Sequence, residues 1–253
     1  MTAVLTVSTT PEVIYPTSDG EPVAETYDHF YALLTTLEVL KQYLTDRQAT
    51  VLANQFLFYS QGFPKLRIAP DVMVIFDVAP GGRDSYKIWE EGQVPKVIFE
   101  MTSAGTKEKD EGFKKILYEQ LGVEEYWLFD PKSEWIEQQL RGYRLQGETY
   151  IPIQDQVSQV LQLRLAVEGK LIGFYRQDTG EKLLIPDELA QNLRQEVVAR
   201  REAEERAEQE RQRAEQECQR AEQERQRAEQ AEQQIEQLKA RLKSLGVDPD
   251  AVE

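Results

Sequence analysis

Ala69-Pro70-Asp71-Val72-Met73-Val74-Ile75-Phe76 and, further on, Val94-Pro95-Lys96-Val97-Ile98-Phe99-Glu100-Met101-Thr102-Ser103 are the stretches on which the reading of this chain turns. Each contains a short apolar run with β-branched residues, which predicts a buried strand. Each run also carries a carboxylate at one end, Asp71 before the first and Glu100 closing the second. An ionised carboxylate at the end of a buried strand is costly unless it is paired or binds a cation. Two such acids at the ends of two core strands, with a lysine on the segment that follows, are the parts of a divalent-metal phosphodiesterase site.

Working outward, residues 1–24 contain Pro11, Pro16, Gly20 and Pro22 and predict an irregular lead-in. From Glu25 to about Leu44, Phe30, Leu33, Leu34, Leu37, Val39, Leu40 and Tyr43 follow helical spacing. Val51 to Ser60 predicts one strand, broken by Gly62 and Pro64; the strand after Asp71 runs to about Asp77, and Pro80 to Gln93 predicts a long loop. Thr106 predicts the N-cap of a helix from Lys107 to Leu121, with Gly122 as its left-handed stop. Val123 to Phe129 is the next strand, closed by Asp130-Pro131, and short strands and turns continue to about Pro186: Tyr143–Leu145, Tyr150–Ile153, Leu161–Val167, Leu171–Tyr175 and Leu183–Ile185. Strand, helix and strand in the middle with further strands around them predict a mixed α/β domain over 25–186.

After Pro186 the texture changes. Arg206 to Gln233 repeats Arg-Ala-Glu-Gln-Glu-Arg-Gln almost perfectly every seven residues with no Gly or Pro, which predicts a long helix over 187–245 and a flexible C-terminus at 246–253. With Ala207, Ala214, Ala221 and Ala228 at heptad position a, Glu210, Glu217 and Glu224 fall at d, too polar a seam for a strong coiled coil. The same register continues into Ala231, Ile235, Leu238, Leu242 and Leu245, an apolar seam of about two heptads. The expectation is a solvated rod whose C-terminal end pairs with another copy; the competing expectation is a single charged helix held by pairs such as Glu202–Arg206.

The net charge is −15, of which the segment from Asp187 onward carries −6 and the preceding residues −9. Neither part has the basic excess of a tight, nonspecific nucleic-acid binder, although a local basic groove or a bound metal can coexist with a negative total. The lone Cys218 excludes an internal disulfide framework and a Cys-rich zinc site. That cysteine usage, the absence of an apolar run long enough for a bilayer, and an N-terminus without a basic n-region predict a soluble protein of the cytoplasm without a membrane partner.

In the helix from Lys107 to Leu121, Phe113, Ile116, Leu117, Gln120 and Leu121 cluster on one side, which is expected to face the sheet. Asp110, Lys114 and Tyr118 form an i, i+4, i+8 stripe along its flank. Lys114 can therefore snorkel toward the sheet end that carries Glu100, whereas Lys115 points nearly the opposite way, into solvent.

Together, Pro70-Asp71, Val97-Ile98-Phe99-Glu100-Met101-Thr102-Ser103, the Asp110–Lys114–Tyr118 spacing and Gly122-Val123-Glu124-Glu125-Tyr126-Trp127-Leu128-Phe129-Asp130-Pro131 resemble the Uma2 (DUF820) family of the PD-(D/E)xK superfamily. The resemblance covers roughly residues 25–185; the stretches at 142–145 and 180–184 and the charged tail look like its cyanobacterial branch. It implies a restriction-endonuclease-like mixed β-sheet core flanked by helices and a metal-dependent endonuclease activity on DNA. Asp71 and Glu100 match the two acids that hold Mg²⁺ or Mn²⁺. The superfamily usually places a lysine two residues after the second acid; here that position is Thr102, and Lys114 on the following helix is the matching lysine.

Glu25 and His29 lie on one face of the first helix, where superfamily members often carry an accessory acid. Ser103 and Asp110 read equally as site residues and as helix-start residues. Each role has a plainer competitor: Asp71 a turn cap after Pro70, Glu100 a partner for Arg67, Lys114 an i,i+4 pair with Asp110, Tyr118 and Trp127 core aromatics. The leading reading is an endonuclease using Asp71, Glu100 and Lys114, which the retention of those three residues favours; the alternative is a noncatalytic scaffold that works through its helical tail, which the acidic body and Thr102 favour.

Overall fold

The structure is a computed structural model and describes residues 13–20 and 25–245. The expected lead-in at 1–24 lies partly, and the C-terminus at 246–253 wholly, outside the described residues. The chain divides into two units, residues 1–189 and 190–253.

The first unit opens with α1 (Tyr27–Tyr43), then β1 (Ala49–Leu52), β2 (Phe56–Phe58), β3 (Arg67–Ile68), β4 (Val72–Phe76), β5 (Ser85–Lys87), α2 (Ile88–Glu91) and β6 (Val97–Met101). A helical segment follows in three pieces: α3 (Lys107–Lys109), a π turn (Asp110–Lys114) and α4 (Lys115–Leu121). Then come β7 (Glu125–Phe129), β8 (Leu140–Gln146), β9 (Thr149–Ile153), β10 (Val157–Ser158), β11 (Leu163–Glu168), β12 (Leu171–Arg176) and β13 (Lys182–Leu183), before α5 (Pro186–Ser244). The mixed α/β expectation is met. The main sheet runs β1-β4-β6-β7-β8-β9, with only β6 and β7 parallel, and two smaller sheets run β3-β2-β5 and β10-β11-β12-β13.

Alternation along β6 explains the placement of the site. Val97, Phe99 and Met101 face one core layer, with Leu33, Val39 and Leu40 of α1 and Leu165, Ile172 and Phe174 of β11 and β12. Ile98 faces the other layer, with Met73, Ile75, Tyr118, Tyr126 and Tyr143. Successive strand side chains point to opposite faces, so Glu100 joins Ile98 on the α4 side. The antiparallel register pairs Val72 with Phe99, which carries Asp71 to the level of Glu100. Two acids far apart in sequence thus meet at one end of neighbouring strands.

Several expectations need correction. The single strand at 51–60 is two strands in different sheets, because Asn54 turns the chain at φ 58°, a left-handed conformation that Asn tolerates. The expected loop at 80–93 contains β5 and α2; Arg83 braces it, reaching Glu91 at 2.9 Å and the carbonyls of Gly81 and Ala79. Thr106 does not cap α3: its hydroxyl accepts from the Ser103 N–H. Gly122 does stop α4, at φ 81°.

The largest correction concerns the face of the 107–121 helix. Phe113 and Ile116, expected against the sheet, are 61% and 57% exposed, while Asp110, Leu117 and Tyr118 are buried. The polar stripe turns inward because Glu100, at the end of β6, draws Lys114 and Tyr118 onto it. Lys115, expected in solvent, lies over the Tyr143 ring at 4.1 Å.

The second unit is the body of α5, whose residues are exposed along its length; Ile235, Leu238 and Leu242 of the expected apolar seam are among them. Surface pairs such as Arg200–Glu204 and Arg225–Glu229 decorate it. Among the described residues no helix is long and apolar enough to cross a membrane.

Candidate active site

Glu100 is wholly buried and is the centre of the cluster. Its Oε2 accepts from Lys114 Nζ at 2.8 Å and its Oε1 from the Tyr118 hydroxyl at 2.6 Å. Lys114 Nζ also lies 2.9 Å from Asp110 Oδ1, across one turn of the helical segment. Arg67, the competing partner for Glu100, goes instead to the Pro64 carbonyl and the face of Phe56. Asp71 Oδ2 accepts from the Met101 N–H at 2.6 Å, so this acid is tied to the end of β6 rather than to a turn of its own.

The first helix adds two more groups. Thr26 caps α1 by accepting from the His29 N–H, and Glu25 precedes that cap. His29 Nε2 lies 3.4 Å from Glu25 Oε2 and 3.7 Å from Asp71 Oδ2. Glu25, His29, Asp71, Glu100, Asp110 and Lys114 therefore form one connected cluster. Of the residues singled out in the sequence, Ser103 alone stands apart: its backbone and hydroxyl face Thr106. Tyr118, read as a core aromatic, is buried as expected and in addition bonds Glu100 directly. The i, i+4, i+8 stripe was the signal for that second role.

Electrostatics set this cluster apart from the other buried acids. Glu125 is satisfied by Arg144, Trp127 Nε1 and the N–H of Gln159, and Asp130 by the N–H groups of Lys132, Trp135 and Ile136. In the cluster, Asp71, Glu100 and Asp110 gather near a single ammonium, and Glu25 stands by His29 and Asp71. Burial pushes the Asp71 carboxyl up to about 7 and Glu100 up to about 8; Lys114 opposes both rises, and neighbouring acids reinforce them. Burial works against a charge on Lys114, yet Glu100, Asp110 and Asp71 together hold its ammonium well above the ordinary lysine range. Burial, then Glu100, keep the Tyr118 hydroxyl protonated and thus a donor. Two buried polar atoms here, His29 Nε2 and Asp110 Oδ2, make no hydrogen bond, and Asp110 Oδ1 meets the Lys114 ammonium as an ion pair.

No curated protein matches the chain. Among solved structures, a "putative nuclease belonging to DUF820" from Anabaena variabilis ATCC 29413 aligns with a TM-score of 0.39 and 16% identity, over 59% of this chain and 83% of that one. The family described as "Uma2: Putative restriction endonuclease" matches residues 5–173, which begins earlier and ends sooner than the resemblance read from the motifs. That match spans well over half of the sequence, and the chain belongs to the Uma2 family.

Proposed function

We propose that this protein is a divalent-metal-dependent DNA endonuclease, with Asp71 and Glu100 holding Mg²⁺ or Mn²⁺ and Lys114 assisting hydrolysis of the phosphodiester. The observation that carries the reading is the excess of buried carboxylate over positive charge around Lys114. In a protein interior such an imbalance is a cost that only protonation or a cation removes.

The residues fit a hard divalent ion. Their donors are carboxylate oxygens, the type Mg²⁺ and Mn²⁺ prefer. Among the described residues no group of three or more His, Cys, Asp or Glu side chains is set out to hold a metal. Mg²⁺ is commonly held by one or two carboxylates, with water and substrate phosphate completing its shell, so a pair is enough. When bound, the ion would supply an acidified water and charge stabilisation at the phosphate.

The chain's own groups do the rest. Tyr118 and Lys114 fix both oxygens of Glu100, and the Met101 N–H fixes Asp71, so the two acids are oriented before substrate arrives. Lys114, always charged in this setting, is placed to stabilise negative charge building on the phosphate oxygens or to orient the attacking water. Asp110 holds Lys114 against the end of β6. His29 and Glu25 stand beside Asp71, where they can hydrogen-bond a water. The exposed Cys218 suits a reducing, cytoplasmic setting, and the apolar seam from Ile235 to Leu245 suits pairing with a second copy of the chain.

Calorimetry with Mn²⁺ tests the site. The wild type is expected to bind it, and Asp71→Ala together with Glu100→Ala to abolish binding. No binding by the wild type, or unchanged binding by the double variant, would overturn the assignment. Bound metal without cleavage of any single-stranded or duplex DNA would favour the scaffold reading.

A further inference from the structure

A cavity of about 250 Å³ opens beside the carboxylate cluster. Thr26 and His29 of the start of α1, Thr102 and Ser103 beyond β6, and Lys132 and Trp135 beyond β7 line it. His29 belongs both to this wall and to the cluster, where it faces Asp71. The cavity therefore adjoins the carboxylate cluster through His29.

Three features make this a built site. The buried Asp130 carboxylate gathers the N–H groups of Lys132, Trp135 and Ile136 and so shapes the loop that presents the half-buried Trp135. Thr102, itself 2% exposed, has a hydroxyl with no hydrogen-bond partner in the protein. An unpaired hydroxyl in a core is a cost with no structural return, and Thr102 is one of the residues of the cavity wall. Lys132 is exposed at the rim and offers a positive charge to a backbone phosphate.

We infer that this cavity seats one base of the nucleic-acid substrate, unstacked from its neighbours, with Trp135 as its stacking face and Thr102 as a hydrogen-bonding group. The inference rests on the nuclease reading above and extends it to substrate form. A cavity of this size with one aromatic wall has room for a single unpaired base and not for a base pair. The enzyme is then selective for single strands, or for duplex sites whose bases unpair easily.

Fluorescence anisotropy with a labelled mixed-sequence oligonucleotide, single-stranded and as a duplex, tests this on the full chain with Ca²⁺ in place of the catalytic ion. The single strand is expected to bind about tenfold more tightly than the duplex, and Trp135→Ala to lose about tenfold on the single strand alone. Trp135→Phe keeps a stacking face and retains binding. Thr102→Val weakens binding while leaving the melting temperature equal or higher. Ala104→Phe, at an exposed position of the cavity rim, fills the space without touching the core and is expected to match Trp135→Ala. If Trp135→Ala and Ala104→Phe, melting as the wild type does, bind single strands as tightly as it does, the base site is wrong and the nuclease reading survives. If the wild type binds neither form of DNA, both fall together.

Discussion

At the scale of single residues, the informative contrast is between two kinds of buried acid. Glu125 and Asp130 have a donor for each need, from backbone N–H groups and, for Glu125, Arg144 and Trp127. Asp71, Glu100 and Asp110 share one lysine. The first kind stabilises a loop or a strand edge; the second leaves charge waiting for a counter-ion. This has a consequence for pH dependence in the metal-free protein. Asp71 and Glu100 bind their protons more tightly folded than unfolded, since their folded values of about 7 and about 8 stand above 3.8 and 4.5. Their contribution to stability is full below the unfolded values and is lost as pH rises through the folded ones. The melting temperature without metal is expected to fall across that window, and Glu100→Gln to flatten the fall. With Mn²⁺ the fall should shrink, because the ion binds the deprotonated pair and releases protons. A metal-free melting curve independent of pH between those limits would contradict this account.

At the scale of elements, the helical segment from Lys107 to Leu121 shows how a site overrides an amphipathic pattern. Its apolar side chains Phe113 and Ile116 are left exposed, and its polar stripe is buried, since Lys114 and Tyr118 supply the side-chain donors to Glu100. The segment also passes through a π turn at Asp110–Lys114, the portion that carries both the acid and the lysine. Such turns are common at functional sites. The neighbouring strands make the opposite point. β7 and β8 pair with Trp127 opposite Gly142, and a Cβ at Gly142 would stand 2.4 Å from the Trp127 ring. Trp127 is fully buried and stacks on Phe99, one residue before Glu100. Gly142→Ala is therefore expected to destabilise the first unit by about 1–3 kcal/mol, the usual cost of overpacking a core. Urea unfolding of the two proteins checks it; equal midpoints would show that the ring can move aside.

At the scale of the whole molecule, the two units differ in what holds them. The first has layered cores on both faces of its main sheet. In the second, the described residues include no buried one, and the surface ion pairs along its helix add little each. Cutting the chain after Leu189 keeps the contacts of the helix start with the first unit, Tyr31 to Asp187 and Lys182 to Glu188. The shortened protein is expected to melt at the temperature of the first unit in the full chain and to sediment as a monomer. The full chain is expected at twice its own mass, paired through Ile235, Leu238, Leu242 and Leu245. Sedimentation showing one mass state for both would remove the seam as an assembly device.

The first helix, the two acidic strands and the helix and strand that follow them, the choice of Lys114 over Lys115 and the break in texture at Pro186 were legible in the sequence. Strand alternation, helical spacing and composition act locally and need no partner to be read. The split of 51–60 into two strands, the strand and helix inside 80–93 and the inward turn of the polar stripe were not legible. Each depends on what a segment meets: a left-handed Asn54, the brace from Arg83, a buried Glu100 in search of donors. The site divides in the same way. Asp71 and Glu100 are visible as costly acids along the chain, but only the antiparallel pairing of β4 with β6 brings them together. The excess of negative charge around one lysine, and the cavity that opens beside it, are properties of that meeting and exist only in three dimensions.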